Sequence, residues 1–312
     1  MPVTRPPYNR TSTYAAFAAL AVVWGLAYSV IKIGVLSMPL TVMVAIRVVA
    51  GALAMIVIFI VLRRRMVGPA FGRNFAGCIF MALTSSGIPF YLLAWGEIRT
   101  GAGVSSLLNS TTPLWAAILA TWLTPLERPR RLNYLGIGVG FAGTAVLIVP
   151  NISGNDLRLD ILPPLAVIGA AASNAVSVLG YRRLLKAADP LDVTLWQLIV
   201  TAVAAALIAV PSLPAAHPQV GTVVLIVMLG VLGTSVAYLL LYRVLNALGG
   251  TRGSTVMLAI PFTAVAFGAI LFHEQITGVM VAGAVITLIG IFLATRGPTD
   301  AVDPLLLPAR PA

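Results

Sequence analysis

Ten apolar runs follow one another along this 312-residue chain, with little sequence between them. They cover residues 14–35, 40–62, 75–97, 102–124, 133–150, 161–181, 191–211, 220–245, 251–272 and 276–295. Each approaches the ~20 residues that a helix needs to cross the hydrocarbon core of a bilayer. Charged residues make up 9% of the chain and hydrophobic ones 59%, against about 25% charged in an ordinary globular protein. So few charges cannot cover a water-facing surface, so the solvent for most of the chain is lipid. The expected fold is an all-α polytopic membrane protein with ten transmembrane helices. A disulfide-rich scaffold is excluded by the single cysteine, Cys78, which lies in an apolar stretch and has no redox role.

The net charge of +11 does not mark a nucleic-acid binder. Such proteins gather their basic residues on one exposed face. Here the cations come in bursts at the ends of apolar runs, such as Arg63, Arg64 and Arg65, or Arg128, Arg130 and Arg131. Ten spans put sixteen Lys and Arg on one side, while only Arg99 and Arg158 fall on the other and Lys32 and Arg47 lie within spans. The positive-inside rule then places both termini, residues 1–13 and 296–312, in the cytoplasm. An Arg-rich, Ala-rich composition suggests a bacterial inner membrane.

The chain also repeats itself. Phe90-Tyr91-Leu92-Leu93-Ala94-Trp95 in the third run lines up with Ala237-Tyr238-Leu239-Leu240-Leu241-Tyr242 in the eighth. Pro113 in the fourth matches Pro261 in the ninth, and Glu127, Gly136 and Gly143 match Glu274, Gly283 and Gly290 at one shared offset of 147. Two halves, 14–150 and 161–295, therefore hold five spans each. An odd number of spans forces the halves into opposite orientations, which is the inverted-repeat plan of secondary transporters.

With Trp24-Gly25 in the first run, the Pro-containing fourth and ninth runs and the repeated acidic and glycine positions, the chain resembles the drug/metabolite transporter superfamily. Within it the EamA-type exporters are most similar, among them bacterial amino-acid exporters such as the aromatic amino acid exporter. The resemblance covers residues 14–295. It implies two EamA-like repeats around a central cavity lined mainly by helices one, three, four, six, eight and nine. Trp24 has no Trp counterpart in the second half, where Ser173-Asn174 stands near the equivalent place.

Polar groups inside lipid are costly and face a cavity or another helix. In the fourth run, Ser105, Ser106, Asn109, Thr112 and Pro113 recur at helical spacing, so they share one face. Asn109 both donates and accepts hydrogen bonds, which suits a zwitterion, and Pro113 frees a backbone carbonyl. Met257 and Pro261 hold the matching face of the ninth run, with Met257 as an adaptable wall. Ser173 and Asn174 give the sixth run a polar face. Trp24, Tyr91, Trp95 and Tyr238 offer aromatic walls, although Trp95, near a span end, equally suits an interfacial belt. The expected substrate-binding set is thus Trp24, Tyr91, Trp95, Asn109, Thr112, Ser173, Asn174, Tyr238 and Met257. Pro113, Pro261 and the glycines Gly136, Gly140, Gly143, Gly283 and Gly290 are read as structural, the glycines for close helix packing.

All nine acidic residues fall in loops or at span ends. Proton-coupled carriers hold an ionisable group within the membrane, so the expectation is a facilitator, with a proton-coupled multidrug or metabolite antiporter as the alternative. No nucleotide-binding loop, metal cluster or catalytic constellation is legible, which leaves an intramembrane lipid-modifying enzyme as a weaker reading and implies no cofactor and no metal. The expected activity is export of amino acids or related small metabolites, with the substrate and the lipid bilayer as partners and a monomer or homodimer as the assembly.

Overall fold

A computed structural model describes residues 10–66, 72, 74–123, 131–148, 157–185, 188–248 and 256–295. Ten helices occupy the places of the ten apolar runs. They are α1 (Arg10–Ser37), α2 (Leu40–Val61), α3 (Phe75–Glu97), α4 (Ala102–Asn109 and Thr112–Leu123) and α5 (Arg131–Ile148). The second half holds α6 (Leu157–Leu184), α7 (Pro190–Ala209, extended by a 3-10 turn Val210–Ala215), α8 (Val220–Gly230 through Ala237–Leu248), α9 (Val256–Phe272) and α10 (Gly278–Ala294). Seven of them are long and apolar enough to cross a membrane unbroken, while α9 and α10 are shorter apolar helices of 17 residues each.

Local chemistry fixes several ends. Asp189 caps α7 by accepting from the Leu191 N–H at 2.8 Å, and Pro190 follows at the first helical position, where its missing N–H costs nothing. Thr277 accepts from the Met280 N–H at 3.2 Å and starts α10. Asp189 also pairs with Arg64 at 2.6 Å, tying the end of α2 to the start of α7.

The burial pattern runs apolar side outward. Val61, Leu207, Phe262 and Ile270 are all exposed, whereas Ser29, Ser86, Ser105, Thr111 and Ser235 are buried. In water such a surface would aggregate; in lipid it is the stable arrangement, and the Ser235 hydroxyl finds its partner on another helix, the Gly51 carbonyl of α2. The largest apolar cluster joins α2, α7 and α8 through Met43, Met55, Phe59, Leu195, Leu198, Ile226 and Leu229.

The main helix pairings cross between the halves and come in matched sets. Helix α1 packs on α8 and α9, and α6 packs on α3 and α4. Helix α2 meets α8 as α7 meets α3, and α2 meets α7, α4 meets α9 and α5 meets α10. Exchanging each helix for the one five places away leaves this set unchanged.

The α5–α10 seam is closed by glycine. A Cβ on Gly136 would collide with the backbone of Leu293 and Ala294, one on Gly143 with Thr287, and one on Gly290 with the backbone of Gly140. Gly283 sits against Leu147. Such contacts bring the two backbones close enough for dispersion to hold them without large side chains.

Two features depart from plain helices. Helix α4 breaks between Asn109 and Thr112, and α3 and α8 each contain a π-helical segment, Ala82–Gly87 and Val231–Val236. The apolar run at 102–124 reads as one continuous helix, but the Ser110 hydroxyl bonds back to the Leu107 carbonyl at 2.6 Å and Thr111 to Leu108 at 2.7 Å. Those bonds compete with the helical ladder, and Pro113 immediately after removes a donor.

Candidate functional site

Each of the three interruptions gathers polar groups around it. Thr112 closes the α4 break by donating from Oγ1 to the Asn109 carbonyl at 2.9 Å. Asn109 itself donates from Nδ2 to the Tyr28 hydroxyl of α1 at 2.9 Å, and its Oδ1 is buried without a hydrogen-bond partner. Tyr28 was not among the aromatics singled out from the sequence, because it belongs neither to the Trp24-Gly25 pair nor to the repeated segments 90–95 and 237–242.

Each π-helical segment is gripped from the opposite half. Trp24 Nε1 donates to the Gly233 carbonyl of α8 at 3.0 Å, and Ser173 Oγ of α6 donates to the Thr84 carbonyl of α3 at 2.9 Å. On the other flank Thr201 of α7 donates to the Ala82 carbonyl at 3.1 Å, and Ser235 of α8 donates to the Gly51 carbonyl of α2 at 2.5 Å. Ser173 of α6 and Trp24 of α1 thus make the same kind of contact, each donating to a carbonyl of a π-helical segment. A π turn frees carbonyls from the ladder and recurs at functional sites.

The Trp24-Gly25 pair now has a physical reason. Successive helical residues point in different directions, so Trp24 reaches α8 while Gly25 faces α9. A Cβ on Gly25 would lie 2.6 Å from Thr263 Cβ and 2.9 Å from the Ala264 nitrogen. Trp24 meets Tyr238 edge to face at 6.5 Å, and Tyr238 stacks on Tyr242 at 6.2 Å. Tyr242 in turn shares a hydrogen bond of 2.9 Å with Thr194.

The structure brings Trp24, Tyr28, Asn109, Thr112 and Tyr238 into this region, with Tyr91 half-buried and its hydroxyl unpartnered. It does not bring Trp95 there. Trp95 is 44% exposed and lines a separate pocket of about 210 Å³ with Ile98, Arg99, Leu162 and Pro163, a position suited to the interfacial-belt reading. Met257 is likewise exposed, near the start of α9. Asn174 is half-buried, and its carbonyl accepts from Ser177. Pro261 is buried within α9, and Pro113 is half-buried behind the α4 break.

The charged groups differ most from their reading in sequence. Glu97 ends α3, as expected, yet it is 0% exposed and neither carboxylate oxygen has a hydrogen-bond partner. Gly96 permits this: without a Cβ, it lets Val167 and the Pro163 carbonyl of α6 close over the helix end. Arg47, 7% exposed, lies with its guanidinium carbon 4.0 Å from the Phe90 ring centroid.

Lys32 pairs with Glu274 at 2.9 Å, a contact that sequence spacing could not reveal across 242 residues. Glu274 also accepts from the Ala102 N–H at 2.9 Å and the Gly103 N–H at 3.2 Å, so it caps the first segment of α4. An anion at a helix N-terminus is favoured by the orphan N–H groups and the helix dipole. Gly101 and Gly268 form the cradle, since a Cβ on either would fall within 2.9 Å and 2.6 Å of Glu274 Oε2. Burial pushes the Glu274 carboxyl upward, but the Lys32 ammonium and the two backbone N–H groups outweigh it and hold the group below its ordinary range.

Polar groups gathered at a broken helix, inside a lipid-facing bundle of ten helices, are an arrangement that membrane transporters use. The chain belongs to the EamA-like transporter family, whose sequence profile matches it twice, at residues 11–149 and 162–296. It is 27% identical over 278 residues to an uncharacterized transporter of Archaeoglobus fulgidus, covering 88% of this chain and 95% of that protein. It is 29% identical over 143 residues to the uncharacterized inner membrane transporter YedA of Escherichia coli, covering 46% of this chain and 45% of that one. A solved structure described as "Crystal structure of protein" shares the fold with a TM-score of 0.63 at 18% identity, over 92% of this chain and 97% of that chain.

Proposed function

We propose that the protein is a secondary transporter that exports amino acids or related small metabolites across a bacterial inner membrane. It works by alternating access, two inverted five-helix repeats (14–150 and 161–295) rocking about the region of Trp24, Tyr91, Asn109, Ser173 and Tyr238. The observation that carries the reading is the pairing of interruptions. The π turns of α3 and α8 are each gripped by a side chain of the opposite half, Ser173 on one and Trp24 on the other. Pairings that map onto themselves when the halves are exchanged are what two related repeats require.

Asn109 Oδ1, at the broken helix, and the Tyr91 hydroxyl of α3 are buried and unpartnered. Such groups cost about 1–3 kcal/mol each while unmet, and a polar ligand supplies their partners. The aromatic faces of Trp24 and Tyr238 accept the apolar part of a side chain.

The test is flux of labelled amino acids into proteoliposomes of the purified protein, with and without a pH gradient. Concentration-driven flux that ignores the gradient is the expected result and fits a facilitator. Absence of amino-acid flux under both conditions rejects the substrate class. A proton-coupled antiporter is the second reading, carried by the buried, unpartnered carboxyl of Glu97; flux that appears only with a gradient selects it.

A further inference from the structure

Two buried ionisable side chains of the first half face each other without an ion pair between them. Arg47 of α2 is 7% exposed and its Nε has no hydrogen-bond partner. Glu97 of α3 is 0% exposed and both its oxygens are orphaned. Each lies within electrostatic reach of the other, yet no ion pair joins them: the side-chain ion pairs among the described residues are Lys32–Glu274 and Arg64–Asp189. Arg47 also lies within reach of the Tyr28 and Tyr238 hydroxyls, and Glu97 within reach of Lys32 and Glu274. Lys32 and Glu274 are matched to each other at 2.9 Å, which leaves one guanidinium, Arg47, and one carboxyl, Glu97, without an ionic partner in contact.

A buried ionisable group left without a partner is costly to hold, and inside a membrane such groups mark substrate pathways. The surroundings prepare both groups for a ligand. Phe90 lies 4.0 Å from the guanidinium carbon of Arg47; stacking of this kind occupies the face of the cation and leaves its N–H edge free for a carboxylate. Glu97 is acceptor-only when ionised, and an ammonium brings it three donors.

We propose that Arg47 and Glu97 are the two anchors of the transported molecule, and that its class is a zwitterion of the amino-acid type. Its carboxylate docks on the Arg47 edge and its ammonium on Glu97. The assignment rests on the transporter reading given above and sharpens it. A dicarboxylate meets Glu97 with like charge, a lipophilic cation meets Arg47 with like charge, and a neutral sugar leaves both unmatched. Discrimination therefore comes from repulsion as well as attraction. In sequence Arg47 stands within a span, open equally to pairing with Glu97 or Glu274 or to attracting a substrate carboxylate, whereas Glu97 reads only as a span end.

The experiment is competition against counterflow of labelled leucine and phenylalanine in proteoliposomes of the full chain. The competitors are the unlabelled amino acid, its amide, which lacks the carboxylate, and its des-amino acid, which lacks the ammonium. Wild-type protein is expected to prefer the zwitterion over either analogue by about tenfold or more. In Arg47→Gln the preference over the amide disappears while that over the des-amino acid remains; Glu97→Gln shows the mirror image. Arg47→Lys and Glu97→Asp, which keep the charges, retain both preferences with weaker binding and stand in if a neutral variant does not fold.

Equal loss of affinity for all three competitors in either variant, or no change in any, overturns the assignment. Intact preferences in Glu97→Gln, with only the pH dependence of flux altered, overturn it too and give Glu97 to the proton. If wild-type protein carries neither amino acid, the transport reading itself falls. If it carries them without discriminating against the analogues, the anchors alone fall.

Discussion

The α5–α10 seam and the region around Trp24, Asn109 and Arg47 are built by opposite rules. Along the seam, glycines bring two backbones into contact, Asn133 donates to the Ala294 carbonyl at 2.9 Å, and Thr144 bonds back to Gly140 at 2.9 Å. Apart from the Thr287 hydroxyl, the seam's polar side chains have partners. On α1 to α4, by contrast, Ser29 Oγ, Arg47 Nε, the Tyr91 hydroxyl, both Glu97 oxygens and Asn109 Oδ1 are buried and unmet. The seam holds the bundle together through close packing; the other region holds polar groups at a cost that the seam and the apolar cluster of α2, α7 and α8 offset. Close backbone packing and unmet polar groups thus fall on different helices.

The largest effect is expected from breaking the seam. Gly290→Val drives a branched side chain into the Gly140 backbone and is expected to cost about 3 kcal/mol or more. Thermal unfolding in detergent reads it as a large fall in Tm or loss of folded protein. Gly138→Ala is the control, because nothing lies within 4 Å of a Cβ there; it is expected to gain up to ~1 kcal/mol from helix propensity. Equal damage from both would erase the distinction between the seam and an ordinary helix surface.

Next in size is the separation of function from stability at the other region. Asn109→Ala removes the hydrogen bond to Tyr28 and is expected to lower stability by only ~1 kcal/mol. Flux of a carried amino acid is expected to fall about tenfold or more, the factor that ~1.4 kcal/mol of binding energy represents. Unchanged flux with a large fall in Tm would make Asn109 a packing residue like those of the seam.

Glu274→Gln tests the contact between α1, α4 and the α9–α10 connection, and is expected to cost about 1.5–3 kcal/mol. Because the Glu274 carboxyl is held below its ordinary range in the folded protein, its stabilisation is present above the unfolded-state value and is lost as pH falls through the lowered one. Wild-type Tm should therefore drop on acidification below about pH 4, with a smaller drop in Glu274→Gln. Parallel curves would show that the latch contributes nothing to stability.

The smallest effect lies beside it. His273 has φ 54° in the left-handed region, so His273→Gly relieves backbone strain and is expected to raise stability by ~0.5 kcal/mol after the added freedom of the unfolded chain is counted. Differential unfolding of the two proteins measures it.

Much of this was legible in the chain because hydropathy and small-residue spacing are local properties. The ten apolar runs became ten helices, and Gly136, Gly143, Gly283 and Gly290 stand where the two backbones touch. The polar stripe of α4 was visible as a stripe, and Asn109 and Thr112 do lie at one place. Its break was not visible, since an apolar window averages over Ser110, Thr111 and Pro113 and cannot weigh hydroxyl-to-carbonyl bonds against the helical ladder.

The sequence by itself determined that the chain lives in lipid, how many helices it forms and which residues supply polarity. Tertiary structure alone decided which polar groups are met and which are left open. Trp24 and Ser173 find carbonyls in the opposite half, more than two hundred and nearly ninety residues away respectively. Glu97 looks like a solvated helix end until Gly96 lets α6 cover it, and Lys32 and Glu274 neutralise each other across nearly the whole chain. The physical reason is that burial and pairing belong to the space between helices, and that space exists only once the helices have packed.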